Sequence, residues 1–194
     1  MEVHETRERM EHAAHAEHQE RKRVALLIVI VAVALALTET GGKEAQFASI
    51  EHNIEASDLY AFYQAKTIRT TILRTAMESA EALAGGSEGQ AEARAKQVAA
   101  WKATIDRLDS DTASGEGRAE LLAKARDLQK QRDVEIQSYH DFEFASAALQ
   151  LAIVVASAAV IVEMTLLEMI SFGFFLVGVG LALVGLLSPG LLNL

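Results

Sequence analysis

The chain has 194 residues, of which 51% are hydrophobic although 23% are charged, so the two populations must be segregated along it. It contains no Cys and a single Pro, Pro189, which excludes a disulfide framework or thiolate metal site and leaves almost the whole chain free to be helical. Aromatic residues at 6% argue against a strand-rich sandwich or barrel, and a net charge of −9 supplies no basic field to attract nucleic acid.

The first segment, residues 1–23, is charged and rich in His and Glu. As a helix it brings His4, Glu8, Glu11, His12, His15 and His18 within an arc of about 120°. Imidazoles and carboxylates at i+3 and i+4 suit a divalent transition metal such as zinc, and the same imidazoles can titrate together near neutral pH. The plainer alternative is an exposed helix in which Glu pairs with Arg7 or Arg9, since no HExxH motif occurs.

Val24 to Leu37 is a run of 14 apolar residues, short for a membrane span until residues 38–42 are added. A cleavable signal is the rival, with Ala34-Leu35-Ala36 resembling a cleavage site. Residues 1–23 hold six Glu against five Lys or Arg, unlike a short basic signal region, which favours a retained transmembrane helix over 24–42. Arg21, Lys22 and Arg23 ask for a cytoplasmic N-terminus. Arg126, Lys130 and Arg132 ask for the opposite, but they follow a segment too long for positive-inside counting. A re-entrant first segment would satisfy both clusters.

Residues 43–141 form a polar stretch that mixes 13 basic and 17 acidic side chains from Lys43 to Asp141 without long blocks of one sign, as in solvated helices. Glycines at Gly41-Gly42, at Gly85, Gly86 and Gly89, and at Gly115 and Gly117 predict helices over 44–84, 90–110 and from 118 onward. On the first of these, Phe47, Ile50, Ile54, Ala61, Ala65, Ile68, Ile72, Ala76 and Leu83 share one stripe, which predicts the packed face. Its spacing near 3.6 predicts little supercoil. The arms on either side of the glycine cluster match in length at about 1.5 Å per residue, which predicts a helical hairpin, a coiled-coil-like stalk jointed near 111–117. Ala91, Ala95, Val98, Trp101, Ile105 and Leu108, then Leu121, Leu122, Ala125 and Leu128, supply the facing stripe. Tyr60 and Tyr63 fall opposite the apolar stripe, either as a second contact surface for self-association or as ordinary exposed tyrosines.

Phe144 to Val162 carries 19 residues without a charge and predicts a transmembrane helix over 142–162. A short loop, 163–168, leads to a third over 169–188, and 189–194 form a tail. On the second membrane helix Glu143, Ser146, Gln150 and Ser157 share one face, and Ala145, Ala148, Ala152, Ala156 and Ala159 the other. On the third, Ser171, Gly178, Ala182 and Gly185 form a ridge of small residues that suits the Ala ridge. The polar stripe then needs the first membrane helix, a second subunit or a water-filled path beside it. Glu39, Glu143, Glu163 and Glu168 lie at membrane boundaries, where rings of carboxylates attract cations in an oligomer, although acids that merely end apolar runs are commoner. No nucleophile elbow or phosphate-cradling loop occurs, so an enzyme is not expected.

Residues 1–18, MEVHETRERMEHAAHAEH, and 53–69, NIEASDLYAFYQAKTIR, resemble the signature stretches of a bacterial membrane-protein family catalogued as domain of unknown function 4337. The resemblance implies a protein of the bacterial inner (cytoplasmic) membrane and brings no assigned activity or catalytic residue. The expectation is an all-α integral membrane protein with three transmembrane helices and a helical-hairpin stalk, its partners being the lipid bilayer and further copies of itself. Its role is that of a scaffold or interaction module. The alternative is a cation channel or transporter lined by the polar face of the second membrane helix.

Overall fold

The computed structural model describes residues 2–83, 85 and 87–188, with side chains from Lys22 onward. The described chain is all helical, with no strand: α1 Glu2–Ala82, α2 Glu88–Asp109, α3 Arg118–Val162 and α4 Thr165–Leu187. Three of these helices are long and apolar enough to cross a membrane. The helices group into two compact units, the first comprising Met1–Ala48 and Val134–Leu194 and the second Ser49–Asp133.

In the first unit the buried positions recur every seven residues on all three helices. They are Val24, Val31, Thr38 and Ala45 on α1, Ser138, Ala145, Ala152 and Ala159 on α3, and Ser171, Gly178 and Gly185 on α4. A seven-residue repeat is the signature of left-handed helix packing, in which successive knobs return to the same seam. Both α1 and α4 run antiparallel to α3. Val31 packs with Leu149 and Ala152, while a Cβ on Gly178 would lie 2.7 Å from Leu149 Cγ and 3.1 Å from the Ala145 carbonyl oxygen. Ser171 Oγ donates to the Ala152 carbonyl at 2.8 Å and Ser138 Oγ to the Gly185 carbonyl at 3.0 Å, so the close approach is also hydrogen-bonded.

Gly41 and Gly42 do not interrupt α1. Glycine in a helix interior costs about 1 kcal/mol relative to Ala but does not by itself end the helix. Here its use is space: a Cβ on Gly41 would stand 3.0 Å from Phe142 Cζ, and one on Gly42 3.3 Å from Phe142 Cβ. The connection between α3 and α4 is also shorter than expected. Only Glu163 and Met164 separate the two helices, and the reversal is made with Glu163 at φ 54, the left-handed region.

In the second unit α1 packs against α2 and the first part of α3, in opposite chain direction. Tyr60 Oη donates to Gln129 Oε1 at 2.9 Å, Arg132 Nη1 to Asn53 Oδ1 at 3.2 Å, and Arg74 Nη2 to Asp109 Oδ2 at 3.2 Å. At the far end Arg94 donates to the carbonyls of Leu83 and Gly85, which follow the last turn of α1. Ile105, Leu108, Leu121 and Ala125 turn inward as the expected stripe of α2 and α3 does, whereas Ala91 and Ala95 are exposed.

The face of α1 in this unit is the reverse of the expected one. Ile50, Ile54, Ala61, Ala65, Ile68 and Ile72 are all exposed, and Ala56, Thr70 and half-buried Tyr63 face inward. Counting aliphatic residues alone hides the reason: a tyrosine buries a large ring while its hydroxyl reaches a partner, and here each has one.

Gly178→Val should destabilise the first unit by about 1–3 kcal/mol, because the added atoms fall on Leu149 and the Ala145 carbonyl. Gly173→Ala and Gly180→Ala, where a Cβ meets nothing within 4 Å, should not. Denaturation by increasing SDS fraction in mixed micelles, followed by circular dichroism, separates the two outcomes.

Candidate functional site

The polar stripe of α3 faces away from the other helices of the first unit. Glu143, Gln150 and Ser157, seven residues apart, are exposed and Ser146 is half-buried. The stripe lies on the side opposite Ala145, Ala148, Ala152, Ala156 and Ala159, which are buried. The first helix does not cover it, since α1 meets α3 at Leu149 and Ala152. Ser157 satisfies its hydroxyl within the helix by donating to the Ile153 carbonyl at 2.8 Å. His140 Nδ1 lies 3.6 Å from Glu143 Oε2, one turn away. Gln150 has no such local solution. Its primary amide can donate two hydrogen bonds and accept two, and no side chain among the described residues bonds to it.

The helix-packing residues on α4 are divided. Gly178 and Gly185 are buried against α3, whereas Ala182 is only half-buried. Asp141, which sequence reasoning passed over, is 7% exposed and its Oδ2 has no hydrogen-bond partner among the described residues. A Cβ on Gly185 would stand 3.0 Å from Asp141 Cβ. The only sequence signal was its place three residues before the apolar run that begins at Phe144.

Tyr60 and Tyr63 are both half-buried and face the chain's own return helices. Besides the Tyr60 bond to Gln129, Arg118 lies 5.3 Å from the centroid of the Tyr63 ring and donates to its hydroxyl at 3.5 Å. The same guanidinium donates to Asp109 Oδ1 at 2.7 Å, so Asp109 bridges Arg118 and Arg74. The Arg118 guanidinium, by hydrogen bond and by charge, holds the Tyr63 phenol below its usual range. Tyr63 in turn raises Arg118.

Next to this cluster, residues 110–117 join α2 to α3. Gly115 takes φ 68, a conformation that favours glycine, and its carbonyl accepts a 3.0 Å bond from Lys124 Nζ. Asp111 Oδ1 accepts from the Ser114 backbone N–H at 3.1 Å. Glu120, in the first turn of α3, accepts from Ser110 Oγ at 2.7 Å and from the Asp111 backbone N–H at 3.4 Å. Gly117 has no room for a Cβ, which would collide with Glu120 and the Asp111 backbone. Hydrogen bonds to Ser114 lower the Asp111 carboxyl, and the Ser110 hydroxyl lowers Glu120.

His4, Glu8, Glu11, His12, His15 and His18 lie outside the residues whose side chains are described. Among the described residues no group of three His, Cys, Asp or Glu stands close enough to hold a metal ion.

The joint sets a pH prediction. A carboxyl lowered on folding contributes stability that is present above its ordinary value and lost as pH falls through the lowered folded value. The protection of the amides over 110–121, taken as exchange relative to the intrinsic rate at each pH, should therefore fall on acidification below about pH 4. Paired Asp111→Asn and Glu120→Gln substitutions should flatten that dependence; an unchanged profile would remove both carboxylates from the joint's stability.

The family model described as Domain of unknown function (DUF4337) matches residues 5–188. No curated protein and no solved structure matches the chain.

Proposed function

The chain belongs to the family described as Domain of unknown function (DUF4337), and within it we propose a multi-pass membrane protein that self-associates and serves as a scaffold or interaction module. α1, α3 and α4 cross the bilayer through their parts in the first unit. The helical hairpin of the second unit is a water-exposed stalk. In this reading the protein resides in a bacterial inner membrane with a cytoplasmic N-terminus, and the role is not enzymatic.

The observation that carries it is the inside-out composition of the first unit. Ala, Gly, Ser and Thr dominate its interior, while Leu26, Val29, Leu37, Leu151, Val154, Ile161, Met169, Leu176 and Leu186 are exposed. In water this arrangement forfeits most of the hydrophobic effect; against acyl chains it forfeits nothing, and small residues gain the close contact that association in lipid relies on. α4, 23 residues long with Glu168 in its first turn as its one charged residue, rises about 34 Å, enough for the hydrocarbon core.

A second reading rests on Gln150. An amide exposed at membrane depth without a partner among the described residues requires either a neighbouring helix or water. A polar contact between copies satisfies it in the scaffold; a shared aqueous path lined by Glu143, Ser146, Gln150 and Ser157 satisfies it in a cation channel.

Alkaline carbonate washing should leave the protein in the membrane pellet, and recovery in the supernatant would end both readings. Gln150→Leu should weaken self-association by about 0.6–2 kcal/mol, measured by sedimentation in detergent. Planar-bilayer recording then separates the two: silent membranes favour the scaffold, and cation currents reduced by Gln150→Leu favour the channel.

A further inference from the structure

Between the start of the apolar run of α1 and the first turns of α4, within the first unit, lies a cleft of about 340 Å³. Arg23 of α1 and Thr165 and Glu168 of α4 supply its polar lining; Val24 and Leu27 of α1 and Met169 and Phe172 of α4 supply the rest. Since α1 and α4 both run antiparallel to α3, they run in the same direction, and position along either chain is depth in the cleft. Leu27 and Phe172 each stand four residues, about 6 Å, beyond Arg23 and Glu168. The charged groups therefore form one layer and the bulky apolar groups the next. Arg23 is exposed and Glu168 half-buried, and among the described residues neither side chain has an ion-pair or hydrogen-bond partner. They line one cleft from different helices without closing on each other, which leaves space for a group that carries both charges.

Resting on the reading of a membrane protein, in which this end of both apolar runs stands at headgroup level, we propose that the cleft binds one phospholipid whose headgroup carries both a phosphate and a primary ammonium. The phosphate sits at Arg23 and the Thr165 hydroxyl, the ammonium at Glu168, and an acyl chain continues past Leu27, Met169 and Phe172. A guanidinium offers paired N–H donors that match phosphate oxygens, and a primary ammonium has three N–H donors for a carboxylate. The alternatives each leave a charge unanswered. A purely anionic headgroup would satisfy Arg23 and bring its own charge against Glu168, while a quaternary ammonium has no N–H to give that carboxylate. Beside an apolar wall such mismatches weigh more than they would in water, because the local dielectric is lower. Arg23 and the apolar wall thus hold a phospholipid of any kind, and Glu168 selects among them.

The test titrates the full chain, purified in detergent, with phosphatidylethanolamine, phosphatidylglycerol and phosphatidylcholine of identical acyl chains, and reads the fraction carrying one bound lipid by native mass spectrometry. The wild type should hold the ethanolamine lipid at least about tenfold more tightly than either of the others. Glu168→Gln should lower the ethanolamine lipid to the level of the choline lipid and leave that level unchanged, and Arg23→Gln should weaken all three alike. Glu44→Gln, the same change of charge on exposed α1 beyond the other end of its apolar run, should alter none of these affinities. The helicity of each variant is checked by circular dichroism before titration. Equal binding of the three lipids, a preference for the glycerol lipid, an ethanolamine preference that survives Glu168→Gln, or full binding by Arg23→Gln would overturn the proposal. A chain released by alkaline carbonate would fail as a membrane protein altogether, whereas one retained in the pellet without this selectivity loses only the site.

Discussion

The close approach of α3 and α4 governs what the first unit can be. Gly178 admits Leu149 at a distance no side chain would allow, and Ser171 and Ser138 turn the contact into hydrogen bonds to backbone carbonyls. Because the seventh positions on the three helices are Ala, Gly, Ser or Thr except at Val24 and Val31, the helices register against one another largely by close backbone approach. The bulky aliphatic residues are thereby displaced to the outside. An aqueous solvent would make that displacement costly, at about 25 cal/mol for each Å² of apolar surface left exposed, and a bilayer removes the cost. One packing choice thus gives the unit its apolar exterior.

Much of this was legible in the sequence. The Ala ridge of α3 and the small residues of α4 could be read from a helical wheel, because in lipid-type packing the informative residues are the small ones, and each of them sits on one side of its helix. The joint between α2 and α3 was legible too, since Gly115 and Gly117 have specific backbone tasks: one takes positive φ and the other lies against Glu120 and the Asp111 backbone. Gly41 and Gly42 resemble them in sequence and do something else. They admit the Phe142 ring, a residue a hundred positions away, and no local rule could have distinguished space for a neighbour from a break in the helix.

The second unit resisted sequence reading for a different reason. A single helix with an aliphatic stripe on one side and tyrosines on the other has two candidate buried faces, and hydropathy ranks the aliphatic one first. The structure ranks by complementarity. Gln129 answers Tyr60, Arg118 answers Tyr63, and Asp109 joins Arg118 to Arg74, so the polar tips of the inner face are matched while their rings and stems are covered. Such matches depend on which residues of α2 and α3 arrive opposite, and that is long-range information.

The reversal also explains why the stripe persists as a pattern. Had the isoleucines formed the hairpin's own core, the eleven-residue spacing of Ile50, Ala61 and Ile72 would need to agree with α2 and with α3 separately, across a joint that interrupts the return path at 110–117. On the outer face it has to agree only with α1 itself, which is helical without a break from Glu2 to Ala82. The same logic applies to Gln150 in the other unit, whose amide finds no partner among the described residues on a helix that is otherwise closely packed. Each unit satisfies one face internally, and each leaves a second face uncovered among the described residues: the aliphatic stripe of α1 in the second unit and the polar stripe of α3 in the first. Read as a stalk in water and a bundle in lipid, the two units leave uncovered the type of face that gains most from being covered, since water drives apolar surfaces together and hydrocarbon drives polar groups together.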